Sequence, residues 1–254
     1  MADVAKIDDL ARRLDIIVMT PPALNSPADR ARASRLDGYA FDQAATALGA
    51  AIDHLQAWRA LLAAGYMPAY AHLSLLRTAH ESALFAYWLT EASCSVEDRR
   101  ARGVAAQAAD FEERRKLEDS IGRTEVTPPG KLAIDRLKDL MDEAARAGLT
   151  TTNRKGQEVL SVSVPATVEL FDRYEQVAEG VRAQFIYRLY SGYAHAKQWA
   201  LMLGAKQQAP FDESGRSLAL VEGSEATAFG ATRRVVRIVG RALLAFEGLR
   251  RANS

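Results

Sequence analysis

Apolar residues recur every three to four positions through most of the chain, which is the spacing of helices that bury one face. Glycine and proline, the residues that interrupt helices, are sparse and cluster in the segments 20–27, 128–130, 148–156 and 204–215. Long stretches rich in Ala and Leu lie between these clusters. The pattern therefore predicts a mostly α-helical protein.

The spacing predicts about seven or eight helices, and two of their starts carry additional signals. Pro68 fits the first turn of a helix. Ser95, followed by Glu97 and Asp98, places a hydrogen-bond acceptor and negative charge where the first amides of a helix lack partners. The predicted helices cover residues 4–18, 28–64, 68–92, 96–120, 131–147, 166–178, 179–203 and 224–251.

Two short segments have the character of β-strands. The segments 158–164 and 217–221 alternate polar with apolar residues or carry β-branched side chains, and we predict that they pair with each other as a small ribbon. The composition does not change across the glycine- and proline-rich connections, so we expect one domain that spans residues 1–254.

The predicted fold class is all-α, a helical bundle with a short two-stranded ribbon. We expect the N-terminal helix to pack on a core formed by residues 28–251. Within that core, the two long helices at 28–64 and 68–92 are predicted to pack antiparallel beside the late helices at 179–203 and 224–251.

The charges of the chain nearly cancel, with 33 Lys and Arg against 32 Asp and Glu. A chain with this balance has no overall field, so binding to nucleic acid or to an anionic membrane must use a local patch. The segment in which positive charges most outnumber negative ones lies near the C terminus. Its arginines share one helix face and either contact a nucleic-acid backbone or form an ordinary polar face: Arg233, Arg234, Arg237 and Arg241.

The chain carries no sequence signal for export or membrane insertion. Cys94 is the single cysteine, so no internal disulfide can form, and the first residues lack the basic-then-apolar order of a signal peptide. We therefore expect a cytoplasmic protein. The most apolar stretch, residues 70–89, contains Arg77, His80 and Glu81, which favours a buried helix over a membrane span.

The common motifs of nucleotide and metal chemistry are absent from the sequence. It contains no Walker loop, no G-x-G-x-x-G, no H-E-x-x-H and no cluster of Cys and His at metal-binding spacing. We therefore expect neither a cofactor nor a metal site.

The predicted helix at 179–203 carries one narrow polar stripe. At the helical rotation per residue, five polar side chains fall within about 80° of one another. The rest of the helix is largely apolar, which predicts burial on most sides and requires that charge on its inward face be paired or functional. The stripe consists of Gln184, Arg188, Ser191, His195 and Gln198.

The residue types and spacing of this stripe suit phosphodiester chemistry. Arg188 supplies a permanent planar cation that can hold a phosphate, and His195 supplies an imidazole that can move a proton near neutral pH. The stripe also steps by four and three residues in alternation, which is the spacing of a seam between two helices. A second copy of the chain would then bring another Arg188 and His195 opposite the first pair.

The segment from Arg188 to His195, RLYSGYAH, resembles the R-x4–6-H motif of the HEPN superfamily. That superfamily includes many metal-independent ribonucleases of toxin and defence systems, which are typically dimers with the motif at the dimer interface. The resemblance implies a homodimeric endoribonuclease or RNA-binding protein. It also implies that Arg188 contacts the phosphate or the transition state and that His195 is its catalytic partner. Ser191 shares their face and is the third candidate catalytic residue.

A second, looser resemblance involves an earlier helix. An R-x-x-x-E helix, here Arg77 and Glu81, and a Y-R-x-x-S-x-x-x-H helix, here starting at Tyr187, recur in uncharacterised helical bacterial proteins. Arg77 and Glu81 are four residues apart on one face, and we predict a bridge between helices from Glu81 to Arg188. Arg99 and Arg102 are predicted to complete a basic rim around Arg188. The remaining candidate binding residues are Gln184, Gln198 and Tyr187.

Two alternatives stay open at this point. In the first, the same residues form a structural polar network, with Arg188 paired to a carboxylate and His195 bonded to a carbonyl, inside a non-catalytic module that binds a protein partner or a small ligand. In the second, Arg77, Glu81, Arg188 and His195 line the pocket of a small-molecule enzyme. A cognate protein partner is compatible with either the ribonuclease or the non-catalytic module.

Overall fold

The computed structural model describes residues 2–123, 130–203, 205–207, 219–221 and 225–251. Within these ranges the chain forms ten helices and two short antiparallel ribbons, so the predicted all-α class is confirmed. The helices are α1 Ala2–Met19, α2 Pro27–Ala31, α3 Arg35–Ala63, α4 Ala71–Thr90, α5 Val96–Ser120, α6 Ala133–Arg146, α7 Thr167–Tyr174, α8 Gln184–Ala194, α9 Gln198–Met202 and α10 Glu225–Gly248. The strands are β1 Thr150–Thr152, β2 Glu158–Leu160, β3 Ala205–Gln207 and β4 Ala219–Val221.

Helix α5 begins and ends where the sequence predicts. The side chain of Ser95 accepts a hydrogen bond from the amide of Asp98 at 3.0 Å, while Glu97 and Asp98 occupy the first turn. This cap fixes the start of the helix because it satisfies an amide that has no partner within the helix. The cap is local in sequence, which is why it could be recognised before the structure.

Two predicted helices are interrupted, which accounts for the larger number of helices. The predicted helix at 28–64 is divided into α2 and α3 by residues 32–34, although no glycine or proline marks the break. The predicted helix at 179–203 ends at Ala194, and α9 begins at Gln198. Ala196 lies between them with a φ of 49°, in the left-handed conformation that usually terminates helices at glycine.

The turn between α8 and α9 is tight because Gly192 has no side chain. A Cβ added at Gly192 would lie 2.5 Å from the Cβ of Ala200 and 2.8 Å from a ring atom of Trp199. The amide of Lys197 donates to the carbonyl of Gly192 at 2.8 Å, which closes the end of α8. Glycine at this position therefore allows α9 to fold back directly onto α8.

The β segments pair with their neighbours in sequence. Strand β1 pairs with β2, and β3 pairs with β4, each in antiparallel register. The predicted pairing of residues 158–164 with 217–221 is therefore wrong. In the β1–β2 hairpin, the side chain of Asn153 accepts from the amides of Lys155 and Gln157, and Gly156 has a φ of 74°. This turn chemistry closes the hairpin locally, so no distant strand is required.

The chain divides into two compact units, each assembled from three segments. The first unit contains Met1–Thr20, Thr46–Trp88 and Ala166–Leu244. Its core includes Trp58, whose indole nitrogen donates to the hydroxyl of Thr232 at 2.8 Å. The largest other buried side chains of this unit are Trp88, Tyr190, Phe171, Ile7, Leu48, Leu55, Leu73, Leu76 and Leu84.

The second unit contains Pro21–Ala45, Leu89–Pro165 and Ala245–Ser254. Its core is formed by Leu36, Val104, Leu140 and Ala144, against which Tyr39, Phe111 and Leu160 pack. The start of α3 lies very close to α5, since a Cβ added at Gly103 would lie 2.5 Å from the backbone nitrogen of Ala40. Gly103 thus permits two backbones to approach more closely than any larger residue would allow.

Helix α4 is the most apolar helix and runs through the first unit. Its side chains Leu73, Leu76, Ala83 and Leu84 are fully buried, as is His80. It packs beside α8, as predicted, with His80 and Tyr190 in ring contact at 5.8 Å. No helix in the described ranges is both long enough and apolar enough to cross a membrane.

Candidate functional site

The predicted polar stripe lies at the surface of the first unit. The apolar face of α8, which includes Ile186 and Tyr190, is buried, while the stripe residues Arg188, His195 and Gln198 are exposed. Within α8 only Phe185, Arg188 and Ala194 are exposed, so this helix is buried or half-buried on most sides as predicted, and the charge of Arg188 lies on its outward face. One continuous helix does not carry the whole stripe, because α8 ends before His195 and Gln198 belongs to α9.

His195 is positioned by the end of α8. Its amide donates to the carbonyl of Ser191 at 3.0 Å, and it serves as the last residue before the left-handed Ala196. Ser191 is half-buried on α8 and holds His195 through this backbone bond. The imidazole is thereby fixed to a helix end and not to a long loop.

Arg188 is held by its own helix. Its Nε and one terminal nitrogen donate to the side-chain oxygen of Gln184 at 3.3 and 3.2 Å. Gln184 is held in turn by Asp172, which accepts from the Gln184 amide at 2.9 Å. The predicted bridge from Glu81 to Arg188 is wrong, because the ion-pair partner of Glu81 is Arg77 on the same helix.

Arg77 contacts three of the other predicted site residues, Glu81, Tyr187 and His195. Its Nε donates to Glu81 at 2.5 Å, and its guanidinium carbon lies 5.2 Å from the ring centre of Tyr187. One terminal nitrogen lies 3.5 Å from Nε2 of His195. In this contact Nε2 is the acceptor, because a guanidinium can only donate. We call Arg77, Glu81, Tyr187 and His195 the Arg77 cluster.

Arg99 and Arg102 belong to the second unit and have partners there. The buried guanidinium of Arg99 donates to the carbonyl of Cys94 at 2.9 Å and to that of Glu91 at 3.4 Å. Arg102 forms an ion pair with the carboxylate of Glu91 at 3.1 Å. Their predicted contribution to a basic rim around Arg188 stays a prediction.

The arginines of α10 are engaged within the first unit. Arg237 donates to Glu175 at 2.7 Å, and Arg234 donates to the same carboxylate at 3.5 Å. Arg241 donates to the carbonyl of Tyr174 at 3.1 Å, and its guanidinium carbon lies 4.7 Å from the ring centre of Tyr87. These contacts favour the interpretation of the arginine run as a structural polar face.

Sequence reasoning missed a buried pair in the first unit, His80 and Glu175. Nε2 of the fully buried His80 lies 2.9 Å from a carboxylate oxygen of Glu175. Burial lowers the pKa of His80 and outweighs the opposite effect of Glu175. Burial acts to raise the pKa of Glu175, but the bond from His80 and the charges of Arg237 and Arg234 hold it below its ordinary value. The pair is therefore an ionised carboxylate bonded to a neutral imidazole.

Two polar atoms at this site are buried without a hydrogen-bond partner in the described part of the chain. They are Nδ1 of His80 itself and the hydroxyl of the neighbouring Tyr190. Burial raises the pKa of Tyr190, so the phenol stays neutral. With Nε2 donating to Glu175, Nδ1 of His80 is a free acceptor and the Tyr190 hydroxyl is a free donor. No spacing rule could have found this group, because its members come from α4, α8 and the end of α7.

The tyrosines of α8 divide between core and surface. Tyr190 and Tyr193 are buried, Tyr187 is half-buried beneath Arg77, and Trp199 on α9 is 53% exposed. The aromatic surface of α8 and α9 is therefore supplied by Phe185, Tyr187 and Trp199. Among the described residues, no group of three or more His, Cys, Asp or Glu side chains lies close enough together to hold a metal ion.

Comparisons with known proteins supply no family for this arrangement. No protein-family model matches the chain, and neither the search of curated proteins nor the search of solved structures finds a match.

Proposed function

We propose that the protein is a HEPN-like RNA-binding protein of toxin or defence type that cleaves RNA in the cytoplasm without a metal ion. The observation that carries this proposal is the exposure of Arg188 on α8 and of His195 directly after the last residue of that helix, with Arg77 directed at the His195 imidazole. Two guanidinium groups and one imidazole are suited to hold a phosphodiester and to move a proton beside it.

The proposed reaction uses the 2′-hydroxyl of the RNA as the nucleophile. The bound phosphate draws the Arg77 guanidinium away from Nε2 of His195, Nε2 then accepts the proton of that hydroxyl, and the oxygen attacks the adjacent phosphorus. The bond from phosphorus to the 5′-oxygen breaks, and that oxygen takes a proton from an acid, which in a dimer is the protonated His195 of the second copy. The products are a 2′,3′-cyclic phosphate and a 5′-hydroxyl. Arg188 and Arg77 stabilise the negative charge on the phosphoryl oxygens.

A homodimer is part of the proposal because exposed apolar side chains lie on the same helices as the candidate site. Phe185, Trp199, Met202 and Leu203 of the α8–α9 region are all exposed, with Leu203 at 69%. Exposed apolar side chains of this size in one region are typical of surfaces that bind another protein. A second copy seated there would bring the two candidate sites together at the interface.

The test is cleavage of single-stranded RNA by the purified full chain in EDTA. We expect cleavage with cyclic-phosphate ends, and we expect His195→Ala to lower the rate by about 100-fold or more because the proton acceptor is lost. Arg188→Ala is expected to lower it because the phosphate contact is lost. Arg182→Ala, which removes an exposed arginine just before α8, and His54→Ala, which removes a histidine of α3, are the matched controls and should retain the rate.

Intact RNA at high protein concentration would overturn the ribonuclease proposal. Equal rates for His195→Ala and the His54→Ala control would overturn the assignment of His195. Circular dichroism and thermal melts of each variant separate a loss of chemistry from a loss of folding.

A second candidate function has its own observation in favour. All three groups around the Arg77 guanidinium, Glu81, Tyr187 and His195, belong to the same unit, so the Arg77 cluster also has the features of a structural polar network. In that case the protein is a non-catalytic helical module that binds a protein partner or a small ligand.

The network interpretation predicts that Arg77→Met lowers the free energy of unfolding by about 1 kcal/mol, because one partly exposed ion pair and one cation–π contact are lost. Urea denaturation of Arg77→Met beside Arg182→Met measures the difference. A stability equal to that of the Arg182→Met control, together with loss of RNA cleavage, favours the ribonuclease.

A further inference from the structure

A separate pocket lies in the second unit, between α2, the first residues of α3 and the start of α5. Its volume is about 190 Å³. Apolar side chains form much of the wall: Pro27, Ala31, Phe41 and Val96. The volume is smaller than the roughly 300 Å³ at which sites for drug-sized ligands begin, so any occupant is a small molecule.

The charged part of the wall contains three arginines and one carboxylate. Arg30, Arg99 and Arg100 line the pocket together with Asp37. Arg100 is neutralised by Asp37, with a terminal nitrogen 3.1 Å from one carboxylate oxygen and Nε bonded to the other. Arg30 is exposed and donates to the backbone carbonyl of Asn25. The wall therefore keeps an excess of positive charge after this pairing.

Arg99 supplies the buried positive charge of the pocket wall. It is only 5% exposed, and its hydrogen bonds go to the carbonyls of Cys94 and Glu91. Among the residues that the structure describes, no carboxylate pairs with Arg99, and its Nε has no hydrogen-bond partner. Burial lowers the pKa of this guanidinium. A buried cation without a counter-charge is unfavourable, and an anion at the pocket wall would relieve that cost.

The start of α5 adds to the preference for an anion. Val96 and Arg99 lie in the first turns of this 25-residue helix, where the helix dipole presents partial positive charge. Glu97 and Asp98 share the turn, but neither lines the pocket. The apolar wall and the unpaired guanidinium together fit a molecule with two parts, one apolar and one negatively charged.

We propose that this pocket binds a small organic carboxylate, with the carboxylate at Arg99 and a compact apolar group against Phe41 and Val96. A monoanion matches a wall on which Arg99 is the buried guanidinium without a counter-charge. The site is independent of the Arg77 cluster, since its lining residues all belong to the second unit.

The experiment uses benzoate as the probe on the full chain, with benzamide as its neutral isostere and phenyl phosphate and inorganic phosphate as the other anions. Isothermal titration calorimetry and thermal melts at constant ionic strength should show saturable benzoate binding with a Kd of about 1 mM and a rise in Tm. Benzamide should bind at least about tenfold more weakly because it lacks the charge. Tighter binding of phenyl phosphate or inorganic phosphate than of benzoate would contradict the carboxylate assignment.

Two variants and one control locate the binding. Arg99→Met should weaken benzoate binding at least about tenfold. Val96→Trp fills the pocket from a half-exposed position and should abolish binding while Tm without ligand stays unchanged, so it decides the question even if Arg99→Met does not fold. Arg115→Met removes an arginine of the same helix that pairs with Glu112 and Asp119, and it should bind benzoate normally. Normal binding to folded Arg99→Met or to Val96→Trp would overturn the proposal.

Discussion

At the scale of single residues, His80 and Glu175 determine how the first unit responds to protons. The imidazole is fully buried and neutral, and the carboxylate it bonds is ionised and also contacts Arg237 and Arg234. A second histidine, His72, is buried against Trp58, and burial lowers its pKa as well. Protonation of either imidazole places a new charge in the interior, which the folded chain resists and the unfolded chain does not.

The sign of the pH dependence follows from that difference. In the unfolded chain a histidine takes up its proton near pH 6.5, whereas His80 and His72 in the folded chain do so only at lower pH. Their contribution to stability is therefore complete above about pH 6.5 and is lost as the pH falls below that value. We expect Tm to fall between about pH 7.5 and about pH 5.5, and melts across that range measure it.

The variant His80→Gln should flatten this fall, since one of the two buried imidazoles is removed. His54→Gln is the matched control, because His54 is only partly buried and bonds a carbonyl of its own helix. A Tm that stays constant or rises as the pH is lowered would contradict the assignment of neutral, buried imidazoles.

At the scale of helices and turns, local signals could be predicted and distant ones could not. The start of α5 could be predicted because Ser95 and Asp98 are three residues apart and form the cap together. The end of α8 could not, because Ala196 adopts a left-handed backbone without the glycine that usually marks it. The bond between His80 and Glu175 joins residues 95 positions apart, for which no periodicity exists.

The sequence predicted which residues form the candidate site, but only part of the contacts among them. The sequence correctly placed Gln184, Arg188 and Ser191 on one helix, because helical rotation is regular within α8. It assigned Glu81 to Arg188, whereas Glu81 binds Arg77 four residues earlier. Spacing along one helix is fixed by geometry, but the choice between a partner on the same helix and one on another depends on packing.

The close approach of α3 and α5 gives a prediction at this scale. Gly103→Ala should lower the free energy of unfolding by about 1–3 kcal/mol, because its Cβ would lie 2.5 Å from the Ala40 backbone nitrogen and the helices must shift. Gly49→Ala is the control, since that helical glycine of α3 has open space and should gain about 0.5–1 kcal/mol from helix propensity. Urea denaturation of both variants gives the comparison, and equal stabilities would contradict the close approach.

At the scale of the whole molecule, the small net charge conceals how the arginines are distributed. Arg234, Arg237 and Arg241 of α10 are committed to Glu175, Tyr174 and neighbouring groups. Arg188 and Arg30 remain exposed in the first and second unit respectively. The net charge therefore says little about anion binding, which depends on the arginines whose partners leave them open to a ligand.

The three segments of one unit alternate along the chain with the three segments of the other, and this order has a consequence for biosynthesis. The first unit is complete only when residue 244 has been added, and the second takes its last segment from the residues that follow. While the ribosome makes the earlier segments, each half-built unit exposes apolar side chains that wait for a later part of the chain. The first unit therefore cannot finish folding before residue 244 has been synthesised, and a chain cut before Ala166 lacks a segment of each unit.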